Sequence, residues 1–296
     1  MPDARRILVI GGTGFIGRAF LNRLSHEAYE LRVVSRDPSF VCEGADMRYG
    51  NIEDRAFCAE IVRDVDVIYY LAGKRDNIYH HTTKPFTYFA SNVDPLLTLL
   101  SVLKDRPAGH LIYVSSVLVE YLNDGTDQDG YLQGKAMCER ALALFAQEHS
   151  SWRVDILRSA AVYGPGDCTE GDGMTFIPSM IRKILDAKDE LVVWGKGERR
   201  LQFVYIDDLV DNLIAVLTTQ ISTPVIAIGN EESQSILEIT NALMRILDRD
   251  LKIVHDLNKP DKETRLSEFT NLIAPKHSLD EGLVLAVNDV LSRKVN

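Results

Sequence analysis

The chain has 296 residues, 46% apolar and 26% charged, enough to bury a full core as one large domain or as a domain with a smaller companion. Its formal net charge of −10 argues against general nucleic-acid binding and repels any anionic ligand at long range, so such a ligand must be held locally, by helix N-termini, backbone N–H groups and a few arginines. No apolar run approaches ~18 residues, which argues against a membrane span, and the four cysteines (Cys42, Cys58, Cys138, Cys168) lack CxxC spacing, so neither a metal site nor a disulfide framework is signalled.

The start, Met1-Pro2-Asp3-Ala4-Arg5-Arg6, has no signal-peptide anatomy, and the thiols read as reduced, in a cytoplasmic setting. A short buried-strand run follows at Ile7–Ile10. Phe15, Ile16, Ala19, Phe20 and Leu24 then fall at helical spacing. Leu31–Val34 is the second strand, and Val65–Leu71 and Leu111–Val114 read as further buried strands, with a helix over Asn92–Leu103 between those two. A helix covers Tyr131–Gln147, and another strand begins at Ile156-Leu157 and ends near Tyr163-Gly164-Pro165-Gly166. This βα order predicts an α/β, Rossmann-type, doubly wound parallel sheet. Beyond Gly166 the pattern loosens. A loop is expected over Asp167–Gly173, a helix from about Pro178 to Ala187, and strands at Leu191–Trp194 and Gln202–Ile206. Asp207-Asp208 is expected to cap a helix at Leu209–Leu217, and the last clear helix is Ile236–Leu247. Residues 1–166 and 204–222 are read as the dinucleotide-binding domain, and 167–203 and 223–296 as a smaller C-terminal substrate-binding lobe.

Gly11-Gly12-Thr13-Gly14-Phe15-Ile16-Gly17 sits between a strand and a helix, the context in which a glycine-rich turn holds a pyrophosphate. Gly11 allows the tight turn, Gly14 the approach of the phosphates, and Gly17 the packing of helix on strand. An acidic residue at the end of the second strand would bond the ribose of NAD; here Ser35 stands there and Arg36 follows, which favours NADP(H) over NAD(H), since a guanidinium suits a 2′-phosphate and stacks on adenine. Asn51-Ile52 is placed to flank the adenine, and Leu71-Ala72-Gly73 ends the fourth strand in small residues suited to close cofactor contact.

Tyr131 and Lys135 are i and i+4 on one helix face. A free phenol, with a pKa of about 10, is a poor acid/base at neutral pH, and a neighbouring ammonium favours its ionised form. Lys135 can also bond the nicotinamide ribose. Tyr113-Val114-Ser115-Ser116 ends a buried strand, where open α/β sheets place ligands, and Ser116 supplies a hydroxyl for a substrate carbonyl.

These stretches, with Leu157-Arg158, Tyr163-Gly164-Pro165-Gly166 and Phe203-Val204-Tyr205-Ile206-Asp207-Asp208, resemble the extended short-chain dehydrogenase/reductase family over about residues 5–240. The resemblance implies a catalytic triad of Ser116, Tyr131 and Lys135, with Asn92 ordering the site. It also implies a homodimer built on two long helices per subunit, and a nucleotide-sugar substrate with no nucleic-acid or membrane partner. Gly164-Pro165-Gly166-Asp167, Phe176-Ile177-Pro178 and Val193-Trp194-Gly195 are similar to the GDP-fucose synthase branch. That branch's epimerising cysteine and histidine positions fall on Leu118 and Thr175, which cannot move protons on and off sugar carbon. The family's dehydratase Asp-Glu pair falls on Val117-Leu118. The branch's diphosphate arginine falls on Leu201; Arg199, taken to lie on the same strand face, and Lys183 stand as replacements. The resulting expectation is an NADP(H)-dependent reductase of a nucleoside-diphosphate 4-keto-6-deoxy sugar. The alternatives are an NAD-dependent nucleotide-sugar 4-epimerase using the same triad and, in another class, a non-catalytic dinucleotide-sensing regulator, which the presence of both Tyr131 and Lys135 disfavours.

Overall fold

The structure, a computed structural model, describes residues 5–24, 29–76, 78–122, 128–171, 173–221, 223–258 and 264–293. Residues 1–4 of the opening segment and Asp172 of the expected 167–173 loop lie outside them. In chain order the elements are β1 (Arg6–Ile10), α1 (Phe15–Leu24), β2 (Glu30–Ser35), β3 (Asp46–Tyr49), α2 (Arg55–Ile61), β4 (Val67–Tyr70), α3 (Ile78–Thr83), α4 (Pro85–Leu103) and β5 (Gly109–Ser116). A 3₁₀ turn, Val117–Tyr121, leads to α5 (Gly130–Glu148), β6 (Trp152–Ser159), β7 (Ala161–Tyr163), α6 (Phe176–Asp186), β8 (Glu190–Trp194) and β9 (Arg200–Tyr205). Then come α7 (Ile206–Ala215), β10 (Val225–Ile228), β11 (Ser233–Ser235), α8 (Ile236–Ile246), β12 (Lys252–Asp256) and α9 (Leu279–Arg293).

Seven strands form one sheet in the order β10-β6-β5-β4-β1-β2-β3. The pairings β3/β2, β2/β1, β1/β4 and β4/β5 are all parallel, with Ile10 level with both Val34 and Tyr70. Chain order runs outward in both directions from the β1/β4 boundary, so the switch point lies where Gly11 and Leu71 leave the sheet. Residues Ile7 to Ile10 are each at most 1% exposed, as a strand covered on both faces requires. On one face Leu8, Ile10, Ile68, Tyr70, Leu111 and Tyr113 join a single apolar core with Leu96, Leu99 and Leu103 of α4 and Cys138, Leu142 and Phe145 of α5. On β4's opposite face Tyr69 packs on Phe20, ring centroids 4.3 Å apart, and donates to the Leu213 carbonyl.

The chain forms two compact units, Met1–Arg158 with Leu213–Ile226, and Ser159–Asn212 with Ala227–Asn296. The second carries the three-stranded β11-β9-β7 sheet and the parallel β12/β8 pair.

Several boundaries differ from the sequence reading. The helix expected from Asn92 begins at Pro85, a residue suited to a first helical turn, and carries Pro95 internally. The strand expected from Ile156 to Tyr163 starts at Trp152 and divides into β6 and β7 at Ala160, whose N–H goes to Ile228. Asp207 and Asp208 do not cap the following helix: both lie inside the first turn of α7, and the Asp208 carboxylate takes the Lys276 and His277 N–H groups instead. α9 was not anticipated, although Leu279, Leu283, Ala286, Val287 and Val290 bury one helical stripe. By length and composition alone α4 could cross a membrane, but half of that window is buried, and the helix packs on α5 and α2. All four cysteines are free thiols, and burial, with a smaller push from Asp54, raises the Cys58 pKa to about 11.

Candidate active site

The glycine turn is a close-packed cradle. Gly11 holds φ +92°, and a Cβ there would lie 2.5 Å from the Ala72 nitrogen, so the turn backs directly onto the Leu71–Ala72 segment. A Cβ on Gly17 would meet the Gly11 carbonyl oxygen at 2.2 Å, which brings the start of α1 against the strand end. A Cβ on Gly14 would find only the Gly11 oxygen, at 3.5 Å. Backbone on one side and open space at Gly14 on the other fit a pyrophosphate laid over a helix N-terminus. Gly73 tells the same story deeper in: a Cβ would crowd Asn92 Oδ1 at 3.1 Å and Lys135 Nζ at 3.4 Å, so the three converge. Phe15 and Ile16, half-buried, open α1. The Thr13 carbonyl accepts from Arg18 Nε.

Around the residues expected to meet the adenine the assignments diverge. Ser35 is buried and its hydroxyl closes on its own turn, accepting from the Asp37 N–H and donating to the Asp37 carbonyl, both at 2.9 Å. Arg36 is exposed. Arg18, overlooked in the sequence, places its guanidinium 5.7 Å from the Phe40 ring centre, on the loop that follows Arg36. Its signal was a cation directly after the third glycine. Asn51 folds an Asx turn onto the Glu53 N–H, and Ile52 packs on the core.

Lys135 is 5% exposed, and its ammonium donates to the Val114 carbonyl at 2.8 Å. It stands 4.7 Å from the Tyr113 ring centre and 5.8 Å from that of Tyr131. Burial pushes the Tyr113 phenol well up, so that ring stays neutral. Tyr131 is half-buried. Asn92 is fixed on both sides: Oδ1 accepts from the Lys74 N–H, and Nδ2 donates to the Lys74 and Tyr88 carbonyls. Ser116 caps the 3₁₀ turn, its oxygen accepting from the Leu118 N–H at 3.3 Å, which leaves its O–H free to donate elsewhere.

Asp129 caps α5 through Oδ1, which accepts from the Tyr131 and Leu132 N–H groups at 3.1 Å each. Sequence reading also missed His81, whose ring stacks on Tyr131 with centroids 5.0 Å apart and planes at 21°. Nothing local marks it, because it arrives from α3 by tertiary packing. Glycines let α5 approach α4 so closely: a Cβ on Gly130 would fall 1.9 Å from the Pro85 carbonyl oxygen, and one on Gly134 3.3 Å from the Asn92 Cβ.

The second unit holds the remaining candidates. Lys183 of α6 sets its ammonium 5.2 Å from the Trp194 ring centre. Arg199 does not lie on a strand as expected: β9 begins at Arg200, and the Arg199 carbonyl accepts from the Ile236 N–H. Arg200 turns to Ser233 and Glu238. Thr175 donates to Asp167 at 2.6 Å. Among the described residues no three His, Cys, Asp or Glu side chains are grouped as a metal site.

Curated relatives include a dTDP-4-dehydro-6-deoxy-D-allose reductase of Streptomyces sp., 27% identical over 282 residues, covering 86% of this chain and 85% of that one. A GDP-L-fucose synthase of Sinorhizobium fredii is 25% identical over 307 residues, covering 98% and 96%. Among solved structures, the UDP-glucose 4-epimerase of Thermotoga maritima, in complex with UDP-glucose, aligns with a TM-score of 0.83 at 23% identity over 98% of this chain and all of that one, a likeness of fold. The model of the NAD dependent epimerase/dehydratase family matches residues 7–229, and the chain belongs to that family.

Proposed function

We propose that the chain reduces the 4-keto group of a nucleoside-diphosphate 4-keto-6-deoxy sugar with NADP(H). The observation that carries this reading is the buried Lys135 ammonium, tied to Val114 and facing two phenols, Tyr113 sealed in the core and Tyr131 half-buried at the start of α5. Gly11, Gly14 and Gly17 would hold a dinucleotide, which when bound would supply the hydride. Ser116 donates its O–H to the carbonyl oxygen at C4. Tyr131 delivers its proton to the same oxygen as the C–H bond forms, and Lys135 stabilises the phenolate left behind. Asn92 holds the floor of the site beside Gly73. Arg36 and Arg18 supply positive charge for a 2′-phosphate, and Lys183 and Arg199 supply it for the substrate diphosphate. The apolar side chains left exposed on α4 and α5 (Phe86, Leu97, Met137, Leu144) support a homodimer through those helices.

The nearby reductase relative supports this reading over 4-epimerisation, which would use the same three residues. The two part on cofactor. An epimerase keeps its NAD and turns over without added NADPH, whereas the reductase consumes NADPH stoichiometrically. Tyr131→Phe tests the chemistry: NADPH affinity should hold while turnover of a dTDP-4-keto-6-deoxyhexose falls by roughly 10²- to 10⁴-fold. Unchanged turnover removes Tyr131 from the mechanism.

A further inference from the structure

We propose that His81 is a positioning residue for Tyr131, clamping the phenol ring so that its hydroxyl stays directed to the reacting carbonyl. The proposal rests on Tyr131 being the acid of the reaction above. His81 is 5% exposed, and each of its ring nitrogens has a polar neighbour. Nε2 accepts the Asp76 N–H at 3.1 Å, so the imidazole proton sits on Nδ1. Nδ1 faces Asp129 Oδ1 at 3.5 Å. That carboxylate oxygen is the one that takes the Tyr131 and Leu132 N–H groups. One anchor therefore fixes the backbone of Tyr131 directly and its ring through the imidazole.

The far side is closed as well. Tyr88 lies against His81 with ring centroids 4.9 Å apart, and its hydroxyl donates to the Asp76 carboxylate. The ionisable groups facing the imidazole are thus Asp76 from the loop after β4, Tyr88 from α4, and Asp129 and Tyr131 at the start of α5. An apolar side chain could fill this space without needing partners for two buried nitrogens. The imidazole is held in one plane by two polar contacts, and the phenol inherits that plane through a stack at 21°. A phenol free to swing presents its proton at the wrong angle, and misplacement of about 1 Å costs roughly 10²-fold in rate.

The test uses the full chain with NADPH and a dTDP-4-keto-6-deoxyhexose, and a second readout that needs no sugar. His81→Ala, His81→Leu and His81→Phe, which keeps a ring but neither polar contact, should each lower kcat by roughly 10- to 100-fold with KM for NADPH unchanged. In protein carrying ring-¹³C tyrosine, the Tyr131 signal, identified by its loss in Tyr131→Phe, should shift in His81→Leu and stay displaced in His81→Phe, whose ring lacks the two polar contacts. If either His81→Ala or His81→Leu folds with full kcat, or if the Tyr131 signal stays unmoved, the proposal is overturned, while an inactive Tyr131→Phe leaves Tyr131 as the acid. Full turnover in Tyr131→Phe overturns that reading, and the role of His81 with it.

Discussion

Lys135 donates one of its three ammonium hydrogens to the Val114 carbonyl, and that bond fixes where the charge sits. A lysine in solvent would wander and be screened. Elsewhere in the same unit, Arg32 is buried and anchored to the Ile61 and Arg63 carbonyls and to Asp46. Burial alone would raise the Asp46 carboxyl, but hydrogen bonds from Arg48 and Arg32 outweigh it and hold the group below its ordinary value. A carboxyl depressed in the folded state contributes stability above its unfolded pKa of about 4, and the contribution fades as pH falls through the folded value. Asp46→Asn should therefore cost about 1 kcal/mol at pH 7, a figure discounted for the half-open side chain, and less near pH 2. Urea melts at the two pH values check this; equal losses at both would remove the ionised group from the account. Residue types that work in sequence-adjacent pairs, such as Tyr131 with Lys135, were legible beforehand. His81 and Arg18 were not, because each gains its meaning from a ring that packing brings to it.

At the scale of elements, the glycine turn separates two demands that one motif usually hides. The Cβ of Gly17→Ala would strike backbone at 2.2 and 2.7 Å, so nothing can give way and α1 must move off β1. A loss of roughly 1–3 kcal/mol is expected, with cofactor binding lost alongside. Gly14→Ala meets nothing closer than 3.5 Å and should melt like the parent protein while binding NADPH more weakly. Paired thermal melts and NADPH titrations distinguish the two; a Gly14→Ala protein with full affinity would mean that phosphates do not lie over this turn. The core strands were legible because apolar runs have few alternatives once both faces are covered. α9 carries the stripe Leu279, Leu283, Val287 and Val290, but the exposed Val284, Leu285 and Leu291 blur its helical period. The Asp207-Asp208 pair misled because carboxylates before an apolar run resemble a cap, while Asp208 is drawn to backbone donors in the Lys276–His277 segment.

For the whole molecule, the charge of −10 sets how an anionic ligand arrives. Raising ionic strength from about 10 to 150 mM shortens the screening length from about 30 to 8 Å and mutes the general repulsion. KM for the nucleotide-sugar should fall over that range, measured by initial rates at fixed NADPH. A rise would show that the local cations, rather than the overall field, govern encounter. Within the first unit the buried strands and the long helices followed from hydrophobic pattern, while β3, α2, α3 and β10 did not, and the substrate-side assignments rested on single cations whose neighbours no pattern reveals.

The glycine seam between α4 and α5 has a practical corollary. Gly130 leaves no room for a methyl group against Pro85, and Gly134 only a tight fit against Asn92 and Phe89, so the pedestal beneath Tyr131 tolerates little added bulk. A mutagenesis library meant to redirect this chain towards another sugar should leave those positions untouched and diversify elsewhere, since variants altered along the seam would be lost to misfolding before their selectivity could be scored.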